Sequence, residues 1–210
     1  MVEVDRFRSQ TNWFVTIHLV AYDSAATKER ILTAAVTEFA TYGVAGARVD
    51  RIAATAKANK RAIYDYFGDK KALFGAVLER LMTELAEAVP PRDDEDLDAY
   101  AGALFDYHRA HPEALRLLLW EALELGDEPV PDEPARTEHY LDKIRAAETT
   151  TGDDDPRALL FFTLGLVGWS LAMPQLRRMI LGTDYPLDRL RNSVSSAVRA
   201  LSSTSHHSAE

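Results

Sequence analysis

Cysteine is missing from the 210-residue sequence. Disulfide bonds and metal sites with thiolate ligands are therefore excluded. Long hydrophobic runs are missing too, because no apolar stretch reaches the roughly 18 to 20 residues that span a bilayer. The longest candidate, residues 158–174, is shorter and contains Thr163 and Ser170, so we interpret it as a buried helix. These absences favour a cytoplasmic protein with no membrane partner.

Positive charge is in short supply overall. Lysine and arginine number 24 against 33 aspartates and glutamates, and the net charge of −9 taken alone argues against binding to nucleic acid. The distribution is uneven, however. Residues 25–82 carry ten basic and six acidic side chains, whereas residues 83–210 carry twelve and twenty-four. This asymmetry indicates that one part of the chain meets a polyanion and the rest does not.

Strand patterns are also rare. After residue 24 the apolar residues recur at helical spacing, so we predict an all-α fold. Residues 12–20, NWFVTIHLV, are the exception, since aromatic and β-branched residues favour a strand. We interpret residues 1–24 as a poorly ordered extension, or as the product of a start codon assigned too far upstream. The alternative is an arm that packs on the body or touches DNA.

Four helices are predicted between residues 27 and 90. Thr27 fits the N-cap of the first helix, and Gly43 fits its end. The second helix begins near Val49 and is followed by a tight turn at residues 57–58. The third covers about residues 59–67, and the fourth ends before Pro90. Two short helices joined by a tight turn after a supporting helix form a helix-turn-helix.

The third helix, NKRAIYDYF at residues 59–67, has the features of a recognition helix. The second helix of such a motif enters the major groove with its N-terminal residues, and here these are Lys60 and Arg61. Both cations can reach guanine or phosphate. Asn59 fits the N-cap, so part of its hydrogen-bonding capacity goes to backbone amides. Asp65 places an acid on the same helix, which should repel phosphate unless it pairs with Arg61, one turn earlier, or accepts from a cytosine.

Further DNA contacts are predicted around this helix. Tyr64 and Tyr66 lie off its inward-facing side and can each offer a hydroxyl group to a phosphate. Lys70 opens the fourth helix, whose N-terminus attracts anions, and Arg48 precedes the second helix. The predicted DNA-binding residues are Arg48, Asn59, Lys60, Arg61, Tyr64, Tyr66 and Lys70.

Residues 52–74, IAATAKANKRAIYDYFGDKKALF, resemble the DNA-binding domain of the TetR family of bacterial transcriptional regulators. With the upstream RILTAAVTEFATYG, the resemblance covers about residues 27–82. The chain departs from the family pattern at Lys57, where the turn glycine is usual, and at Ala62, where threonine is common. The matching positions are Ile52, Ala53, Ala56, Ile63, Tyr64, Tyr66, Phe67, Lys70 and Leu73.

The resemblance implies a helix-turn-helix head over residues 25–85 and a helical regulatory and dimerisation domain over residues 86–205. It implies a homodimer that pairs through helices at about 156–182 and 187–201, with Gly165 and Gly168 permitting close helix approach. The expected function is that of a repressor released from double-stranded operator DNA by a small-molecule effector. No enzyme activity and no cofactor are expected.

A ligand pocket is expected in the body, where an acidic, aromatic composition would tolerate a cationic lipophilic compound. The aromatic residues of helix 156–182 could equally form core or dimer interface. The candidate pocket residues are Phe105, His108, Trp120, Phe162, Trp169 and Met173.

Two other classes of function remain as alternatives. One is an α-helical metal-dependent enzyme that uses His108 and His111, which lie three residues apart near Asp106 and Glu113. Metal binding requires convergent ligands, and His111 precedes a proline at a helix junction, so we predict no metal site. The other alternative is a protein-interaction module, which the contrast between basic head and acidic body disfavours.

Overall fold

The computed structural model describes the backbone of residues 5–90, 96–148 and 155–203, and the side chains of residues 24–90, 96–145 and 155–202. Within these ranges the chain forms ten α-helices and no strand, so the predicted all-α fold is confirmed. The helices are α1 (Asp5–Gly46), α2 (Val49–Ala56), α3 (Lys60–Phe67), α4 (Lys70–Ala88), α5 (Leu97–Ala110), α6 (Pro112–Leu125), α7 (Glu133–Glu148), α8 (Pro156–Ala172), α9 (Pro174–Leu181) and α10 (Leu187–Ser203).

Helix α1 begins at Asp5, well before the predicted start at Thr27. Residues 12–20 are helical, so the possibility of a strand there was wrong. The helix is interrupted at Gly43, with φ 67° and ψ −179°, a conformation that a residue with a β-carbon rarely adopts. Gly43 therefore ends the supporting helix, as predicted. The separation of residues 1–24 as an extension stays a prediction, and residues 1–4 lie outside the described part of the chain.

The chain divides into two compact units, residues 1–78 and 79–210; the boundary predicted between 85 and 86 falls in the same helix, α4. The first unit has a core to which each of its helices contributes. Phe39 of α1 meets Phe74 of α4 edge to face, with ring centroids 5.1 Å apart. Burial of one such side chain stabilises the fold by about 1.5 to 3 kcal/mol. The other large buried residues of this core are Ile31, Ile52, Ile63, Leu73, Val77 and Leu78.

The second unit is built around α5, which packs against α10 and α8, while α7 packs against α8. Ion pairs join α5 to α10: Arg191 Nε donates to Asp106 at 2.8 Å, and Arg199 Nε donates to Asp98 at 2.9 Å. The core residues are Leu85, Val89, Leu97, Tyr100, Ala101, Leu104, Phe105, Leu159, Leu160, Val167, Val194 and Val198.

The predicted long helix over 156–182 is in fact two helices. Helix α8 ends at Ala172, α9 begins at Pro174, and the axes are bent by 85°. Proline cannot donate the hydrogen bond that would continue α8, and it disfavours helical geometry in the preceding residue. Met173 accordingly has φ −112° and ψ 65°. Among the described helices none is long and apolar enough to cross a bilayer alone, and only this bent pair passes by length and composition.

Candidate nucleic-acid interface

The turn between α2 and α3 depends on Lys57, which has the left-handed conformation φ 51°, ψ 42°. Its N–H donates to the Ala54 carbonyl at 3.2 Å, and the next N–H donates to the Ala53 carbonyl at 3.0 Å. This geometry costs a residue with a β-carbon roughly 1 to 2 kcal/mol. The turn is therefore made by hydrogen bonding and packing in spite of a strained lysine, at the position where the resemblance led us to expect glycine.

Helix α3 is capped by Asn59, whose side-chain oxygen accepts from the Arg61 N–H at 2.8 Å, as predicted. The amide NH₂ group of Asn59 is still available to DNA. Ile63 fastens the helix to the core with 1% of its surface exposed. The Arg61 side chain, in contrast, is 86% exposed, and Lys60 and Tyr64 are exposed beside it. The two cations thus lead the helix on an open surface.

Both leading cations have acidic partners. Lys60 Nζ lies 2.8 Å from Asp50 Oδ1, and this hydrogen bond raises the pKa of Lys60. Arg61 Nε lies 3.8 Å from Asp65 Oδ2, so the structure contains the pairing that was one of the two alternatives for Asp65. Exposed ion pairs of this kind are weak because water screens them, so neither pair commits its cation to the fold.

Two predicted phosphate contacts also have structural roles. Lys70 Nζ donates to the carbonyls of Ala45 and Ala47, both at 3.3 Å, and so ties the segment after α1 to the start of α4. Tyr66 is half-buried, with Lys28 Nζ 5.2 Å from the centre of its ring. Lys28 was missed in the sequence, since no local pattern relates it to Tyr66.

Arg48 and its neighbours anchor the start of α2. The Arg48 side chain is exposed, and its backbone N–H donates to Glu38 Oε1 at 2.8 Å. Arg51 Nε donates to the same oxygen at 2.8 Å, while its guanidinium lies 4.2 Å from the centre of the Tyr42 ring. Burial alone would raise the pKa of Glu38, but the hydrogen bonds from Arg51 and Arg48 and the positive charges outweigh it, so the pKa is lowered. Arg51 is thus held within the fold, whereas the exposed Arg48 side chain stays a predicted DNA contact.

The predicted pocket residues are divided between interior and surface. Phe105 and His108 are buried on α5, and Trp120 and Met173 are half-buried. Phe162 and Trp169 are 53% and 58% exposed on α8, beside Phe161 at 73%. These two residues do not face the interior of the protomer, and their exposure favours the alternative of a dimer interface. The pocket assignment of all six stays a prediction.

The histidine pair proposed for the alternative enzyme does not converge. His108 is buried, with no hydrogen-bond partner for its Nδ1, whereas His111 is exposed at the α5–α6 junction, 3.4 Å from Glu113. Across the described segments, no group of three or more histidines and carboxylates is arranged to hold a metal ion.

A helix-turn-helix whose second helix begins with exposed basic residues, followed by an acidic helical unit, defines a DNA-binding regulator. Residues 31–77 match the family described as bacterial regulatory proteins, tetR family, and residues 96–200 match the tetracyclin repressor-like, C-terminal domain. The chain therefore belongs to the TetR family, which is a family of transcriptional regulators and not of enzymes.

Individual relatives agree with this assignment. The chain is 44% identical over 190 residues to the HTH-type transcriptional repressor SCO4008 of Streptomyces coelicolor, covering 87% of this chain and 98% of that one. It is 31% identical over 170 residues to the HTH-type transcriptional repressor Rv3405c of Mycobacterium tuberculosis, covering 80% and 85%. Among solved structures, the putative transcriptional regulator SCO4942 of Streptomyces coelicolor has a TM-score of 0.71 at 35% identity, covering 83% and 97%.

Proposed function

We propose that the protein is a homodimeric repressor that binds a two-part operator and is released from it by a small-molecule effector. The observation that carries this proposal is the exposed pair Lys60 and Arg61 at the N-terminus of α3. In a helix-turn-helix these are the positions that reach base edges and phosphates. The repressor names of SCO4008 and Rv3405c support the same direction of regulation here.

The exposed face of α8 supports the dimer. Phe161, Phe162 and Trp169 are more than half exposed, and Gly165 lies on the same face, where an added β-carbon would meet nothing within 4 Å. Exposed apolar patches of this kind mark interaction sites. Gly168 does not share this face, because its β-carbon would lie 3.7 Å from Leu115 of the same chain. Helix α10 adds an exposed series of small residues, which are Ser193, Ser196, Ala197 and Ala200.

Dimerisation supplies the mechanism of regulation. Two recognition helices held by one dimer match two half-sites about 34 Å apart, one turn of B-DNA. An effector that binds better to a state with another spacing weakens operator binding. The coupling free energy equals the difference between the effector's binding free energies for the two states, typically about 1 to 3 kcal/mol.

A gel-shift titration tests the DNA-binding assignment. The operator is first selected from genomic DNA fragments with the purified protein. The double variant Lys60→Ala/Arg61→Ala should then lose specific binding. Arg109→Ala/Arg145→Ala is the matched control, since it removes the same charge from exposed positions in the second unit and should bind as the wild type does.

Salt dependence gives a second measurement on the same operator. Because phosphate contacts release counterions, log K should fall linearly with log salt concentration, by about 0.9 for each phosphate neutralised. The double variant should have a shallower slope in its residual binding. Wild-type affinity in the double variant, or a flat salt profile for the wild type, would refute the assignment of α3 as the recognition helix.

A further inference from the structure

Lys143 of α7 is a buried cation. Only 4% of the residue is exposed, and its Nζ lies 5.5 Å and 5.7 Å from the centres of the Tyr100 and Tyr140 rings. In the described part of the chain no carboxylate pairs with it. Lysines are rarely buried without a partner, and here burial lowers the pKa of Lys143 to about 8. The ammonium group therefore lies between two rings, with its charge uncompensated by any described carboxylate.

The buried acids described in the second unit do not form an ion pair with Lys143, because each is already paired with an arginine. Glu121 accepts two hydrogen bonds from Arg136, at 3.0 and 2.8 Å, and Asp98 is held by Arg199. Arg136 and Lys143 lie two turns apart on α7, and Arg136 has a carboxylate partner whereas Lys143 has none among the described residues. The acidic composition suggested a cationic ligand, but the two buried acids, Glu121 and Asp98, are already neutralised by arginines.

Other buried polar atoms near Lys143 also lack partners. The Tyr100 hydroxyl, His108 Nδ1 and His139 Nε2 are inaccessible and make no hydrogen bond with any described residue. Burial raises the pKa of Tyr100, so its hydroxyl stays protonated and can donate. Burial, followed by the nearby charges of His111 and Lys143, lowers the pKa of His108 to about 4, so this imidazole is neutral at pH 7. Buried groups of this kind are normally satisfied, and a ligand would satisfy them.

We propose that the effector is an amphipathic organic anion, such as an aromatic or aliphatic carboxylate, that binds between α5 and α7. Its carboxylate pairs with Lys143 and accepts from the Tyr100 hydroxyl, which is a charge-assisted arrangement. Its apolar part lies against Tyr140 and the buried side of α5, where Phe105 and His108 were predicted to line a pocket. This inference rests on the proposed function, since it names the chemical class of the effector.

Calorimetric titration of the full chain tests the class of ligand. The probes are benzoate, 1-naphthoate and decanoate at up to about 1 mM, each compared with its neutral amide. At least one carboxylate should bind, and bind at least tenfold more tightly than its amide, because only the anion gains the ion pair. Failure of all three carboxylates to bind, or equal binding of carboxylate and amide, would overturn the proposal.

Two variants locate the site. Lys143→Met keeps an unbranched side chain, one atom shorter, and removes the charge. It should weaken carboxylate binding at least tenfold while leaving binding of the amide unchanged. Tyr100→Phe should weaken it several-fold. Lys71→Met, at an exposed lysine of α4, is the matched control and should bind as the wild type does. Unchanged carboxylate binding in a folded Lys143→Met protein would contradict the assignment.

Operator titrations with and without the bound carboxylate separate this site from the proposed function. Carboxylate binding that depends on Lys143 but leaves operator affinity unchanged would uphold the site and reject its regulatory role. Operator binding that is intact, with no carboxylate bound by the protein, would uphold the DNA-binding function and reject the site.

Discussion

At the scale of single residues, His108 shows how burial fixes a charge state. Its pKa in the folded protein is lowered from 6.5 to about 4, chiefly by desolvation. The unfolded chain therefore binds more protons between these values, and stability should fall as pH drops through this window. Between pH 7 and pH 5 the wild type should lose about 2 kcal/mol from this group, as measured by urea unfolding.

His108→Gln is the reference for that measurement, because glutamine does not titrate. Between pH 7 and pH 5 its free energy of unfolding should fall less than that of the wild type. The difference between the two losses should equal the loss assigned to His108. A parallel loss in both proteins would show that His108 is protonated in the folded state, contrary to its burial.

Residue contacts were predictable from the sequence where they are local. The Asn59 cap and the Arg61–Asp65 pair follow from spacings of two and four residues on one helix. The Glu38–Arg51 anchor joins two helices, and no local spacing specifies it. Lys143 lies in the apolar stripe of α7 with Tyr140 and Ile144, a pattern that was visible but was not used.

At the scale of elements, the α2–α3 turn tests how far sequence determines geometry. Lys57 has a positive φ of 51°, which β-branched residues tolerate least. Lys57→Val should be less stable to unfolding than Lys57→Gly by at least about 1 to 2 kcal/mol, because glycine avoids the cost that this geometry imposes on a residue with a β-carbon. Chemical denaturation of both variants measures the difference, and the two share the same loss of charge.

If valine and glycine proved equally stable, the left-handed conformation of residue 57 would not be a constraint on this turn. The operator affinity of Lys57→Gly provides a second check. It should equal that of the wild type if Lys57 serves only the backbone, and a loss would assign this exposed side chain to DNA.

Apart from the start of α1, helix boundaries in the first unit were predicted well because capping residues mark them. Gly43 ends a helix and Asn59 caps one where expected. The break at Pro174 was missed, although the proline was visible, since proline is compatible with the first turn of a helix as well as with a break. The apolar character of the segment continued across it.

At the scale of the whole molecule, the uneven charge of the sequence agrees with the two units of the structure. The basic excess lies in residues 25–82 and the acidic excess in residues 83–210, so a polyanion meets the helix-turn-helix while the second unit is repelled. Sequence could predict this division because charge is additive along the chain. It could not predict which face of α8 is exposed, since that depends on how α5, α7 and α10 pack around it.

That exposed face carries a prediction about assembly. Gly165→Arg places a long charged side chain where, apart from the adjacent residues and backbone of α8, no described atom lies within 4 Å of the added β-carbon, and the helix gains from loss of glycine. The protomer should therefore stay folded, while a dimer that packs against this face should dissociate in light scattering after size exclusion. Ala122→Arg, at an exposed position on α6, is the matched control and should stay dimeric. Two linked half-sites bind far more tightly than one, so Gly165→Arg should also bind the operator at least about a hundredfold more weakly. A Gly165→Arg protein that remains dimeric would place the interface elsewhere.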